Sequence, residues 1–386
     1  MKIVIAIDSL KGSLTSLEAG NTIAESAGRV FPDAEIRVSP LADGGEGTAE
    51  ALTAGMGGSR QQLTVTGPLG EPVACSYGIL PDRKTAVLEM ASAAGITLAE
   101  PDKRNPMKTT TYGVGEMIRD AVEKGCRHFI VGIGGSATND GGIGMLQALG
   151  FRMLDERGRQ VPFGGEGLSR LHRITADHVM EELKECTFRI ACDVTNPLCG
   201  AQGASAVYGP QKGADPEMVT QLDGYLGRYA FLAKEFNKEA DSERPGTGAA
   251  GGLGFAFLTF TNAVLESGIQ IVMEETGLEE KISEADLVVT GEGCLDGQTV
   301  QGKAPAGVAR LAKKYGKPVI AFSGIAAEDA AACNRAGIDA FFPILRRVTT
   351  LEEAMKPENA RENLRETSEQ VFRLIRAASK GIGKTV

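Results

Sequence analysis

Apolar residues in this chain come in short unbroken runs, each followed by glycine and small polar residues. Residues 2–7 (Lys-Ile-Val-Ile-Ala-Ile) are the first such run, and they read as a strand buried on both faces of a parallel sheet. Further strands are expected at 35–40, 129–133, 188–191, 285–290, 318–323 and 339–344. Helical segments stand between them. One runs to about Phe31, with Ser13 or Ser16 as its cap and Glu18 as capping-box partner. Others cover 48–55, end at Gly125, Leu149 and Tyr315, or span 215–239 and 358–378.

Residues 60–90 break this rhythm. Gln62–Thr66, Val73–Ile79 and Thr85–Glu89 alternate between apolar and polar, and are separated by Gly67-Pro68-Leu69-Gly70 and Pro81-Asp82. That is a β-meander. Thr276–Ser283 reads as a polar connector. Strand–helix alternation at both ends with a meander between predicts an α/β protein of two domains. Residues 1–60 plus 281–386 form a Rossmann-like, mostly parallel sheet, and 61–280 an inserted α/β domain of mixed topology.

Five polar loops follow the apolar runs: 8–13, 43–48, 134–142, 193–213 and 291–303. The fourth belongs to the stretch 191–215, which reads as one loop far longer than the usual 4–6 residues or so and so calls for an occupant. Asp8 and Lys11 stand at a strand end, where open α/β sheets bind ligands. Asp43 and Glu46 open a helix and suit a magnesium ion or a polyhydroxy ligand. Gly134-Gly135-Ser136-Ala137-Thr138-Asn139-Asp140 precedes a helix, so its amides and hydroxyls suit an anion. Two other glycine-rich stretches lack this logic. Gly246–Gly254 follows a charged run, not the strand a dinucleotide fingerprint requires. Residues 378–385 imitate a Walker A motif but follow a helix, and read as a basic tail.

Composition narrows the chemistry. The 386 residues are 42% apolar and carry a net charge of −9, which argues against a nucleic-acid partner. Seven scattered cysteines without a C-x-x-C pair and three scattered histidines make neither a disulfide framework nor a zinc site. No run is long enough for a membrane span. A reducing cytoplasm is expected. The loops hold acids, hydroxyls, amides and three lysines (11, 212 and 303), but no nucleophile paired with a base. This inventory fits phosphoryl transfer, which needs charge neutralisation and a carboxylate to receive a hydroxyl proton.

The motifs Ala6–Ser13, Ala42–Gly47, Gly132–Gly142, Cys192–Leu198, Gly209–Ala214 and Thr290–Gly293 resemble, in order and over nearly the whole chain, those of the bacterial glycerate kinase family. The resemblance implies ATP- and magnesium-dependent phosphorylation of D-glycerate in a cleft between two α/β domains. The branch most resembled makes 2-phosphoglycerate; 3-phosphoglycerate is the alternative. A ligand-binding sensor of the same fold and a nicotinamide-dependent oxidoreductase are the readings from other classes. Where the family carries arginine after Gly293, this chain has Cys294, and where serine is common it has Gly297. Lys303 or Lys11 is then expected to cover the arginine's role.

On this reading Asp193 is the expected base and Lys212 neutralises the transferred phosphate. Gly134, Gly135, Ser136, Thr138 and Asn139, with Lys303, are expected at the nucleotide. Asp43, Glu292 and Asp296 are expected at magnesium or at the glycerate hydroxyls, and Asn196 at the substrate. Asp8 and Lys11 hold the glycerate carboxylate or a phosphate. Which loops take ATP and which take glycerate stays open, as does the oligomeric state.

Overall fold

The structure is a computed structural model that describes residues 1–42, 44, 45 and 47–381. Its strands are β1 (Lys2–Ile5), β2 (Glu35–Val38), β3 (Ser59–Thr66), β4 (Pro72–Ile79), β5 (Thr85–Glu89), β6 (His128–Gly132), β7 (Arg152–Leu154), β8 (Arg173–Thr175), β9 (Thr187–Ala191), β10 (Ala263–Glu266), β11 (Leu287–Leu295), β12 (Val319–Ala326) and β13 (Ala340–Pro343). The chain divides into two compact units: Met1–Asp43 with Ile269–Val386, and Gly44–Gly268. The boundaries expected at 60 and 281 lie later in the chain than these. Helix Thr48–Gly55 packs on β4 and β5 of the second unit, and Ile269 packs on Gly307 of the first.

Unit 1 is built on a fully parallel sheet in the order β13-β12-β11-β1-β2. The order reverses between β1 and β11, so the carboxyl ends of those two strands form the topological switch point. Ile3, Ile5, Val289 and Phe322 meet Ile23 and Ala27 of helix Ser16–Val30, and Leu364 and Phe372 of helix Pro357–Gly381, in one core. The cap of helix Ser16–Val30 is Thr15 rather than Ser13 or Ser16; its hydroxyl accepts from Glu18 N, and Glu18 returns to the Thr15 backbone. Ser16 is spent elsewhere. Buried, it donates to Ile7 O at 2.7 Å and accepts from Leu41 N at 2.9 Å, which ties the loops after β1 and β2 together.

Two readings of this unit need correction. The segment read as a polar connector contains helix Leu278–Ser283, whose Leu278 and Ile282 are buried. β11 continues to Leu295, beyond the expected end at Thr290, because Cys294 and Leu295 still pair with Ile325 and Ala326. Gly291 serves close strand approach: a Cβ on it would lie 1.9 Å from Phe322 O.

Unit 2 holds a mixed sheet in the order β10-β9-β6-β5-β4-β3. β5, β6, β9 and β10 are mutually parallel, and the expected meander adds β4 and β3 antiparallel. Phe129 and Phe188 stack at 4.8 Å in its core. The long stretch 191–215 is not one loop. It contains helix Ala204–Tyr208 and a turn of 3-10 helix, Pro210–Lys212, before Asp215 caps helix Pro216–Phe236.

The stretch Gly246–Gly254 also finds its use here. Ala250, Gly251 and Gly252 take left-handed φ values of 52°, 69° and 93°. Gly141 N donates to Gly251 O at 2.9 Å, and a Cβ on Gly251 would lie 2.1 Å from Thr138 O. Glycine therefore lets one backbone lie directly against the 134–142 loop.

Candidate active site

In unit 1 the expected residues gather at the switch point. Asp8 is buried and accepts from Ser9 N at 2.7 Å, while its own amide donates to Gly291 O. Lys11 is exposed beyond it. Glu292 is buried on β11 and accepts from Thr299 Oγ1 at 2.6 Å; Asp296 accepts from the same hydroxyl at 3.3 Å and from the amides of Gln298 and Thr299. Lys303 Nζ stands 3.6 Å from Asp296. The two carboxylates differ in character. Burial raises the Glu292 pKa against the Thr299 hydrogen bond and the Lys303 charge. Burial also acts upward on Asp296, but the Thr299 amide, Lys303 and the Gln298 amide outweigh it, and the net shift is downward.

Lys11, Lys303, Glu292 and Cys294 line a cavity of about 340 Å³ with several aliphatic side chains. A Cβ at Gly297 would lie 2.3 Å from Oδ2 of Asp329, the far end of an exposed side chain that can turn aside, so packing does not demand glycine there. Among the described residues no group of three or more acidic, histidine or cysteine side chains is placed to hold a metal. Asp43, and the last residues of the basic tail (382–386), lie outside the described residues.

In unit 2 the glycine-rich loop divides into a surface and an interior. Gly134 and Gly135 are exposed and border a cavity of about 820 Å³ that also meets Arg60, Glu89 and Ser92. Ser136, Thr138 and Asn139 are buried. Asn139 Nδ2 donates to Ser205 at 2.8 Å, whereas Thr138 Oγ1 and Asn139 Oδ1 find no partner among the described residues. Beneath the loop lies Lys212, fully enclosed, with Nζ donating to Thr138 O at 2.6 Å. Desolvation lowers its pKa to about 7, and only the Asp140 charge works the other way. Lys212 therefore acts on the loop backbone in this structure, not on a solvent-facing anion.

Asp193 is exposed just past β9 and accepts from Gly268 N at 3.3 Å. Asn196 is occupied at both ends: its Oδ1 accepts from Tyr208 and its Nδ2 donates to Gln202 O. It staples the 193–208 stretch to itself.

Reading by sequence missed the organiser of this unit. Asp140 is fully buried and accepts from Thr111 N and Oγ1, both at 2.9 Å, and from Gly142 N at 3.0 Å. Burial raises its pKa against those hydrogen bonds. The available signal was the threonine run at 109–111 together with an aspartate just before Gly141-Gly142, both rich in short-range donors.

Comparison with known proteins gives this geometry a context. The model of the glycerate kinase family matches residues 3–376. A protein of Escherichia coli (strain K12) named Glycerate 2-kinase is 46% identical over 383 residues, 99% of this chain and 100% of that one. A Bacillus subtilis (strain 168) protein named Glycerate kinase is 46% identical over 378 residues, 98% of each chain. A crystal structure from Salmonella typhimurium LT2, assigned there provisionally as glycerate kinase 2, superposes with a TM-score of 0.91 at 46% identity, covering 98% of this chain and 99% of that one. With the expected loops at the ends of parallel strands and a match running almost from end to end, this chain belongs to the glycerate kinase family.

Proposed function

We propose that this kinase transfers the γ-phosphoryl group of ATP to the 2-hydroxyl of D-glycerate, giving 2-phosphoglycerate and ADP. The observation that carries the choice of hydroxyl is the full-length likeness to the Escherichia coli protein named Glycerate 2-kinase. Asp193, an exposed carboxylate at a strand end, takes the hydroxyl proton as the new O–P bond forms. The bond from the γ-phosphorus to the bridging oxygen breaks, and its electron pair leaves with ADP. Exposed Lys11 and half-buried Lys303, which stands in for the arginine replaced by Cys294, balance phosphate or carboxylate charge. Gly134 and Gly135 offer backbone amides to an anion. Lys212, Thr138 and Asn139, all enclosed, hold that loop in shape.

Magnesium is held through one or two carboxylates together with phosphate oxygens. Glu292 and Asp296 are joined through one hydroxyl and fit that donor chemistry; they are the residues that would hold the ion. When bound, it neutralises phosphate charge. Seven free thiols fit a reducing cytoplasm. Among the described residues no helix is long and apolar enough to cross a membrane.

The test is coupled ADP release with D-glycerate, ATP and magnesium, with the product identified by NMR. 2-Phosphoglycerate is expected. 3-Phosphoglycerate would overturn the regiochemistry, and ligand binding without turnover would favour a sensor.

A further inference from the structure

Unit 1 carries a cavity whose walls are unsuited to the smaller reactant. Leu10, Ile325, Ile344, Leu345, Leu351 and Met355 line it. Three of these are exposed to solvent although large and apolar: Ile325 at 50%, Leu345 at 37% and Leu351 at 78%. Apolar side chains gathered around an open hollow mark a binding surface. The hollow opens at the carboxyl ends of β1, β11 and β12, beside the switch point between β1 and β11, where sheets of this class take ligands. Its volume of about 340 Å³ lies within the range of roughly 300–1,000 Å³ typical of small-molecule sites.

Charge is placed at one side of it. Lys11 and Lys303 line the same cavity. Lys303 is also the N-cap of helix Ala304–Lys314, and its own side chain does not cap the first amides of that helix. Glu292 lines the cavity as well, so an anion there meets two cations and the positive end of a helix against one carboxylate. Glycerate has three carbons, each bearing oxygen, and no face to lay against leucine and isoleucine. ATP offers both an apolar planar ring and a polyanion. The larger cavity of unit 2 has a more polar lining, with Arg60, Gln62, Thr64 and Ser76.

Taking the kinase reading as its basis, we infer that the unit 1 cavity is the nucleoside subsite. The purine ring lies against the aliphatic walls, and the phosphates point toward Lys11 and Lys303. Cys294, half-buried in the same lining, then becomes a reporter of occupancy.

Full-length protein is treated with N-ethylmaleimide, and alkylation of Cys294 is followed by peptide mass spectrometry alone and with adenosine, ADP or D-glycerate. At about ten times its Kd, ADP leaves about one-tenth of sites open, so Cys294 is expected to react about tenfold more slowly. Adenosine protects likewise at the same multiple of its own Kd. D-glycerate does not, and Cys192 of unit 2 reacts at an unchanged rate with adenosine. Ala354→Trp, which adds bulk to the cavity lining, is expected to raise KM for ATP about tenfold, to cut adenosine protection to about twofold at the concentration that protects wild type about tenfold and to leave KM for D-glycerate unchanged.

ADP that binds by calorimetry without slowing Cys294 would overturn the inference. So would turnover of D-glycerate by a protein in which neither nucleotide nor nucleoside protects the thiol, and this would leave the kinase reading standing. Protection by adenosine without turnover of D-glycerate would support the subsite and sink the kinase reading alone.

Discussion

Lysine 212 offers a sharp test of the unit 2 site, because its ammonium is enclosed and bonded to a main-chain carbonyl. Replacing it by methionine keeps most of the stem and removes the charge. The pKa of the lysine falls from 10.5 in the unfolded chain to about 7 in the folded one, chiefly through desolvation. Below pH 7 the group is protonated in both states and the burial penalty is fully present. Between the two values the unfolded chain binds more protons than the folded one, so stability rises with pH. Over roughly two and a half pH units, from about 7 to about 9.5, this one group contributes a rise of about 3 kcal/mol.

The methionine variant lacks that rise, while every other titrating group is shared by the two chains. Urea unfolding followed by circular dichroism at the two pH values gives the difference between the chains, and its change with pH is the readout. Wild type is expected to gain about 3 kcal/mol over the variant from the lower to the higher pH. Parallel profiles would mean that the ammonium is solvated, and the placement of Lys212 beneath the loop would be wrong.

Three further outcomes are expected. Asp193→Asn should lower kcat by a factor of about 10²–10⁴ with KM for ATP nearly unchanged, since only proton acceptance is lost; an unaltered kcat in steady-state assays would remove Asp193 as base. Gly251→Ala places a Cβ 2.1 Å from Thr138 O at a φ of 69°. It should cost about 1–3 kcal/mol from backbone conformation alone, seen as a lowered Tm, and should raise KM for whichever reactant uses Gly134 and Gly135. Thr111→Val removes the hydroxyl that donates to Asp140 and accepts from Met145 N; a loss of about 1–3 kcal/mol in denaturant unfolding is expected for these buried groups.

Most of the parallel strands were legible because they are short runs rich in apolar residues closed by glycine or small polar residues, and the meander because its turns are marked by Gly-Pro and Pro-Asp; β10, parallel to β9, was not read. What escaped was short or depended on distant partners. Helix Leu278–Ser283 shows only Leu278 and Ile282 as apolar positions, too few for a helical period to emerge. The end of β11 was hidden because Gly291 and Gly293 read as loop residues, when Gly291 is there to let β12 approach. Within the site, the residue types pointed to phosphate chemistry, but their depth did not follow from them. Lys212 and Thr138 are separated by 74 positions, and nothing local distinguishes a lysine that meets a carbonyl from one that meets solvent. Asn196 looked like a free amide until Tyr208 and Gln202 occupied it.

The discontinuity of unit 1 has a consequence for the order in which the protein is made. β1 and β2 pair with each other, but the inner edge of β1 is completed by β11, with Ile3 opposite Leu287 and Ile5 opposite Val289. Synthesis at about 5–20 residues per second puts β11 roughly 15 to 60 seconds behind β1. Unit 2 is contiguous and can close its core during that interval. The first strand meanwhile presents an apolar edge with no partner, an open template for pairing with another chain. Nascent protein should therefore depend on protection of its first 43 residues, and aggregation during expression should start from them rather than from the larger unit.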